Sequence, residues 1–364
     1  MIVRAAVVRE RSGPFVIEDV ELDEPREDEV LVRIVGSGIC HTDLMGRDQH
    51  LPVALPAVFG HEGSGIVERV GARVKKVAPG DHVVLSFVSC GSCPACLKGF
   101  PTHCSTYFEH NMGGARFDGS PTMRKDGEII RANFVGQSSF ASHSLAFERN
   151  VVKVRPDVPL EILGPVACAV QTGAGAVMNT LRPEVGSSLA VFGTGSVGLN
   201  AILAAAVCDC TTIIAVDVNA DRLGLAGEIG ATHTINPSQA DPVQEIRRIT
   251  GSGVNYSLEC TGIPEVLRSA VDVLAMGGVC GMIGVAPPGV EARLEMRQML
   301  DGRTIVGIIA GDSVADVFIP QLIELYVRGR LPFDRMVKFY PFDQINQAVE
   351  DAEKGKTLKA VLRL

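Results

Sequence analysis

In the first third of the chain, apolar and polar positions partly alternate in short runs such as Leu31–Val35, Gly65–Val70 and His82–Leu85. Alternation with a period of two marks a strand with one buried face. Turn residues such as Pro79-Gly80-Asp81 punctuate the runs, so this region reads as a small, irregular β domain of barrel type. From about residue 185 the texture changes. Apolar runs at Ser188–Phe192, Thr212–Val216, Val254–Leu258, Gly278–Met282 and Thr304–Ile308 now alternate with helical stretches. That rhythm predicts βαβ units and a parallel sheet covered on both faces, making the chain α/β with a doubly wound second domain. From Asp312 on, a helix over Val317–Arg328 is followed by mixed elements without the alternation, expected to pack back on the first domain. There is no solenoid-type repeat and no low-complexity tract.

A length of 364 residues is too great for one ordinary core and agrees with two domains. At 46% hydrophobic and 21% charged, with a formal charge of −8, the composition is that of a soluble globular protein. The negative balance argues against a nucleic-acid partner and against an anionic membrane surface. The start of the chain lacks a long apolar segment with a cleavage site, and the most apolar run, Leu199–Cys208, is too short to span a bilayer. Ten cysteines without an export signal point to the reducing cytoplasm, where thiols bind metal or sit buried.

Four of those cysteines, Cys90, Cys93, Cys96 and Cys104, follow the spacing C-x2-C-x2-C-x7-C. Zn–S bonds of about 2.3 Å gather four sulfurs round one ion, and Gly and Pro in the spacers let the loop fold back. A disulfide knot would need an oxidising compartment, and the spacing does not fit the usual iron–sulfur runs. An all-thiolate zinc site is closed and structural, so the chemistry must lie elsewhere.

After the run Leu189–Phe192 comes Gly193-Thr-Gly195-Ser-Val-Gly198, then an apolar helix, and Asp217 stands nineteen residues beyond Gly198. The glycines allow a tight turn and close approach of a pyrophosphate to the helix N-terminus, and the carboxylate accepts from ribose hydroxyls. A carboxylate there repels a 2′-phosphate, which favours NAD over NADP. Arg222, five residues on, could rescue NADP binding, but an arginine on a helix after the strand is more often solvated or stacked on adenine. In the first domain Cys40 and His61 stand twenty-one residues apart, with the carboxylates Asp43 and Glu62 beside them. Thiolate, imidazole and carboxylate suit a catalytic zinc, which needs three protein ligands and an open position. Residue chemistry alone leaves Cys168, His82, His103 and Cys208 as candidates for the third.

Gly60-His61-Glu62-x-x-Gly65-x5-Gly71-x-x-Val74 resembles the signature of zinc-containing alcohol dehydrogenases of the medium-chain dehydrogenase/reductase family. The resemblance runs through Cys40-His-Thr-Asp43, the four-cysteine lobe, Gly164-Pro-Val-Ala-Cys168, Thr172-Gly173, the nucleotide fingerprint and Lys359-Ala-Val-Leu362. Within the family, Leu55–Gly65 and Phe134–Ala141 are most similar to benzyl- or aryl-alcohol dehydrogenases. It implies a GroES-like catalytic domain over 1–172 and 311–364, and a Rossmann NAD-binding domain over 173–310. It also implies two Zn2+ per chain, one catalytic on Cys40, His61 and Cys168 and one structural on the four-cysteine lobe. Thr42 would receive the alcohol proton, Asp43 would orient His61, and Glu62 would sit behind the metal. His41 and Lys359 match positions that meet the coenzyme pyrophosphate, Thr172 one beside the nicotinamide, and Gly284 to Ala286 the backbone that reads the carboxamide. The expected partners are a small alcohol or aldehyde and further copies of the chain, as a homodimer or homotetramer built through the coenzyme domain.

Two departures from the family pattern stand out. Many relatives carry a proton-relaying histidine where this chain has Met45, and a thioether cannot relay a proton; exit through the coenzyme ribose and water is expected instead. Some relatives carry a bulky aromatic where this chain has Ser86, and a small residue beside Phe87 suits a flat aromatic or allylic alcohol. The expected reaction is reversible, NAD-linked oxidation of a primary alcohol to an aldehyde. Its rivals are a thiol-dependent formaldehyde dehydrogenase, a secondary-alcohol or polyol dehydrogenase, and a zinc- and NAD-binding protein without turnover.

Overall fold

The computed structural model describes all 364 residues, Met1–Leu364. Two compact units emerge: Met1–Cys168 with Val314–Val327 and Phe333–Leu364, and Ala169–Ser313 with Arg328–Pro332.

Short strands frame the first unit. In chain order these are β1 (Ile2–Val8), β2 (Val16–Leu22), β3 (Glu29–Gly38), β4 (Ala57–Val58), β5 (Glu62–Val70), β6 (His82–Leu85), β7 (Met123–Lys125), β8 (Glu128–Ile130), β9 (His143–Phe147) and β10 (Val151–Lys153). A five-stranded antiparallel sheet runs β4-β1-β2-β7-β8. The larger sheet gives the unit its barrel-like core, because β3 pairs on both edges along its length: with β5 throughout, with β9 through Glu29–Arg33, and with the C-terminal end of the chain through Gly36–Gly38. Register shifts after Leu31 and Ile34 bend β3 between those partners. Val30, Val32 and Ile34 alternate inward and meet Val67, Val83, Leu85 and Val151 in a dry core.

The second unit holds β11 (Ser188–Phe192), β12 (Thr212–Val216), β13 (His233–Ile235), β14 (Val254–Glu259), β15 (Leu274–Met282) and β16 (Thr304–Gly307). They form one wholly parallel sheet in the order β13-β12-β11-β14-β15-β16. The expected strands at 188–192 and 212–216 match residue for residue; β13, only three residues and half exposed, carried no periodic signal. Helix Ser196–Val207 is apolar all round and buried along most of its length, as a helix against a sheet centre must be. The surface helices start on side-chain caps: Asn219 accepts from Asp221 and Arg222 N–H, and Asp241 from Val243 and Gln244 N–H ahead of Pro242. Strand order reverses between β11 and β14, which places a ligand crevice at their C-terminal ends.

The last strands, β17 (Val337–Pro341) and β18 (Lys359–Arg363), return to the first unit, where β18 pairs antiparallel with β3. The helix expected over Val317–Arg328 spans Ala315–Val327. No helix is long and apolar enough to cross a membrane.

Candidate active site and metal centres

Both clusters of metal-ligating side chains lie in the first unit. In the lobe, the four sulfurs of Cys90, Cys93, Cys96 and Cys104 all lie within 4.8 Å of one another. The Cys90 and Cys96 sulfurs are 4.0 Å apart, against about 3.8 Å for the edge of a tetrahedron with 2.3 Å Zn–S bonds. Gly91 and Gly99, at φ of +72° and +84°, make the reversals that bring them together. Backbone N–H groups of Ser92 and Cys93 donate to the Cys90 sulfur at 3.5 and 3.3 Å and hold its thiol down at about 5. Backbone hydrogen bonds, first from Cys96, hold Cys93 at about 7, whereas burial pushes Cys96 up to about 11. Preformed acceptance by N–H groups suits sulfurs that are to be thiolates.

The second cluster is assembled from distant parts of the chain. Cys40 follows the end of β3 and opens the helix His41–Arg47. Fully buried Asp43, in that helix, receives three hydrogen bonds: from Cys40 N–H at 3.0 Å, Gly60 N–H at 3.0 Å and His61 Nδ1 at 2.8 Å. The last of these turns His61 Nε2 the other way, 3.2 Å from the Cys168 sulfur. Ligand atoms of Cys40, His61, Glu62 and Cys168 all lie within 4.8 Å of one another. Burial alone would lower His61, but the Asp43 carboxylate beside it raises it well above the ordinary imidazole value. Cys168 holds the Cys40 thiol well below its ordinary value, while Cys40 and burial push the Cys168 thiol well above it. The Thr42 hydroxyl is 3.8 Å from the Cys40 sulfur.

Glu62 is as buried as Asp43. Its Oε1 accepts from Lys359 Nζ of β18 at 2.8 Å, and that ammonium also donates to Ile39 O at 3.0 Å. Burial raises the Glu62 carboxyl to about 7 against the pull of Lys359. A side chain at Gly38 would collide with the Glu62 carboxylate, so β3 ends on the one residue that leaves room for it. Lys359 thus sits 3% exposed behind the cluster, an ion-pair role that comparison with the family pattern did not suggest. Gln137 was also missed. It accepts from Gly63 N–H at 2.9 Å and donates to His61 O at 3.0 Å and Leu85 O at 2.8 Å, locking the backbone from His61 to Gly63. Phe134 sets its edge on the His61 ring, centroids 5.8 Å apart. The segment Phe134–Ala141, quoted above only for its likeness to aryl-alcohol dehydrogenases, is therefore the packing shell of His61.

Of the other candidate ligands, His82 begins β6, His103 stacks on Phe100 in the lobe, and Cys208 belongs to the second unit. None of them joins the cluster. His41 is exposed on the first turn of its helix, while Met45 is buried in it.

In the second unit the fingerprint turn follows β11 at the strand-order reversal. Gly193 has φ of +92°, and a Cβ there would meet Thr261 at 2.8 Å. A Cβ at Gly198 would strike the Gly193 carbonyl, and at Gly195 it would point into open space. The turn is thus closed on the protein side and open on the other, as a cradle for a pyrophosphate requires. Asp217, at the end of β12, accepts from Thr194 N–H at 2.7 Å, Thr194 Oγ at 3.0 Å and Asn219 N–H at 2.9 Å. The loop is braced from its own carboxylate. Arg222 lies in the first turn of the helix after it. Thr172 is buried in helix Ala169–Gly175. The Gly284 N–H is donated to Glu259 O at 3.1 Å, and a Cβ at Gly284 would collide with Gly262.

Residues 26–156 match the alcohol dehydrogenase GroES-like domain, and residues 196–328 the zinc-binding dehydrogenase family. Geraniol dehydrogenase of Castellaniella defragrans is 45% identical over 362 residues, covering 99% of this chain and 97% of the relative. The chain belongs to the zinc-dependent medium-chain alcohol dehydrogenases. The benzyl alcohol dehydrogenase of Acinetobacter calcoaceticus superposes on this alcohol dehydrogenase with a TM-score of 0.97 at 46% identity, covering 100% and 99% of the two chains. An alcohol dehydrogenase zinc-binding domain protein from Burkholderia ambifaria gives 0.98 at 52% identity, with the same coverage. The cofactors of this dehydrogenase are zinc and NAD, and the donor sets and glycine cradle described above fit them. Its substrates are small alcohols and aldehydes.

Proposed function

We propose that the enzyme oxidises primary alcohols bearing an aromatic or allylic group to aldehydes, reversibly, with NAD as hydride acceptor. The convergence of Cys40, His61 and Cys168 behind a fully hydrogen-bonded Asp43 carries the reading; the geraniol and benzyl alcohol dehydrogenases among the relatives support the substrate class. Zinc held by those three side chains supplies Lewis acidity, which lowers the cost of deprotonating an alcohol. Asp43 keeps the His61 tautomer that presents Nε2 to the metal. Thr42 is the group that takes the hydroxyl proton, from its place beside Cys40. Met45, a buried thioether, cannot carry that proton further; a bound coenzyme would supply the hydroxyl for its exit to water. Glu62 and Lys359 hold a balanced charge behind the ligands. Gly193, Gly195 and Gly198 cradle the pyrophosphate, with Asp217 on the ribose and Arg222 on the adenosine end. Thr172 and the backbone around Ala286 contact the nicotinamide. The catalytic domain is the first unit and the coenzyme domain the second, and the lobe cysteines hold the structural zinc.

We further propose a homodimer or homotetramer in the cytoplasm. Edge strand β16 and the exposed Met276, Met296 and Leu300 support association through the second unit. All ten cysteines are free, which suits a reducing compartment. NADH formation with benzyl alcohol and geraniol, set beside sorbitol and an S-hydroxymethyl thiol adduct, tests the reading. Highest kcat/KM with the first two is expected. Preference for the thiol adduct or the polyol would replace this reading, and NADH binding without turnover of any alcohol would end it.

A further inference from the structure

Outside the ligand set, Tyr107 is the side chain with most to say about specificity. It opens the helix Tyr107–Met112, three residues after Cys104, and is only 9% exposed. Asn111, fully buried, fixes that helix: Oδ1 accepts from Val88 N–H at 2.9 Å, and Nδ2 donates to Val88 O at 2.8 Å and to Tyr107 O at 2.7 Å. This clamp lays the Tyr107 ring on Phe87, with centroids 5.6 Å apart and planes at 50°. Phe87 follows Ser86, whose hydroxyl reaches the carbonyl of Ala167, the residue before ligand Cys168, at 3.4 Å. The same helix packs on the turn Phe134–Gly136, and Phe134 sets its edge on the His61 ring. Tyr107 therefore stands in the aromatic shell of the Cys40–His61–Cys168 cluster. Its hydroxyl makes no hydrogen bond to the protein, and burial, then the charge of nearby Cys168, disfavours its ionisation. Phe87 and Phe134 offer no polar atom, so this phenol is the donor the shell holds in reserve. That oxygen is not among the sealed, unpartnered polar atoms of the chain, so it is open to a ligand, and a site that hydrogen-bonds a substrate oxygen discriminates against the analogue that lacks it.

We propose that Tyr107 is a specificity-determining residue whose hydroxyl hydrogen-bonds an oxygen substituent on the ring of an arylmethanol substrate. Hydroxy- and methoxybenzyl alcohols are then favoured over alkylbenzyl alcohols of the same size. The inference rests on the alcohol-oxidising reading above and deepens it. Two matched pairs test it: 4-hydroxybenzyl against 4-methylbenzyl alcohol, and 3-methoxybenzyl against 3-ethylbenzyl alcohol. The wild type should show the higher kcat/KM for the oxygenated member of at least one pair, by about 10-fold, and Tyr107→Phe should erase that ratio through KM. Binding of 4-hydroxybenzamide and 4-methylbenzamide to the enzyme–NADH complex, followed by NADH fluorescence, should show the same ratio and the same loss without turnover. Unchanged zinc content and melting temperature in Tyr107→Phe would confirm that only the hydroxyl was removed. A ratio near one in the wild type, or one that survives Tyr107→Phe, overturns the assignment to Tyr107. Absence of turnover with all four alcohols would instead strike at the alcohol-oxidising reading itself.

Discussion

The two cysteine clusters of the first unit reach similar ends by opposite routes. The lobe takes all its ligands from fifteen consecutive residues, three of them only half buried, and tunes them with its own backbone N–H groups. The second cluster draws Cys40 from the end of β3, His61 from the start of β5 and Cys168 from a turn 107 residues beyond His61. Its orientation depends on Asp43, Gln137 and the Glu62–Lys359 pair, all nearly or fully buried. A local site can be complete in itself. A distributed one is a property of the whole fold, and its failures should be those of chemistry and of buried charge.

The sharpest separation should come from paired cysteine variants. Cys168→Ser is expected to cut kcat/KM by about 1,000-fold or more, with zinc falling from two ions to one per chain and little change in melting temperature. Cys96→Ser should also lose one zinc, yet keep kcat per folded molecule within a few-fold while melting roughly 5 °C or more lower. Metal analysis, calorimetry and initial rates decide this, and loss of both zincs in either variant would break the comparison. Next in size is Lys359→Met, which strands the buried Glu62 carboxylate. A loss of about 3 kcal/mol in denaturant unfolding is expected, with part regained in the double variant with Glu62→Gln. Asp43→Asn should then lower zinc affinity at the distributed site by about 10- to 100-fold and leave the lobe metal untouched, as metal competition titrations would show.

The smallest effect concerns neither cluster and serves as a control. Glu18 on β2 is held by Arg9 at 2.7 Å and by Lys125 at 2.6 Å, which lowers its carboxyl from 4.5 to about 2. A lowered folded-state value means that the stabilisation is complete above the ordinary value and drains away as pH falls from about 4.5 toward 2. Glu18→Gln should therefore cost on the order of 1 kcal/mol near neutral pH, and the difference should vanish by about pH 2. A pH series of urea unfolding curves would show it, with the zinc content of variant and wild type equal at every pH.

Legibility followed the same divide. The lobe, β6, β11, β12 and the fingerprint turn could be read directly, because short spacings and period-two or fully apolar runs are local signals. Residue chemistry alone could not single out Cys168 from His82, His103 and Cys208, since nothing near it in the chain records which distant side chains it will meet. The same holds for Gln137 and Asn111, buried amides whose value lies wholly in the backbone groups they satisfy. β13 and the bending of β3 were hidden for another reason: pairing, not pattern, creates them.

The Asn111 clamp has an evolutionary corollary. It ties Val88 to Tyr107, one on either side of the zinc lobe, so the chain is already stapled at the neck of that excursion. One deletion between those two residues would remove the lobe and leave a short gap to bridge, without shifting Cys40, His61 or Cys168. Descendants of this scaffold can thus discard, exchange or enlarge the appendage as a cassette, whereas the ligand set of the other centre has to be inherited whole.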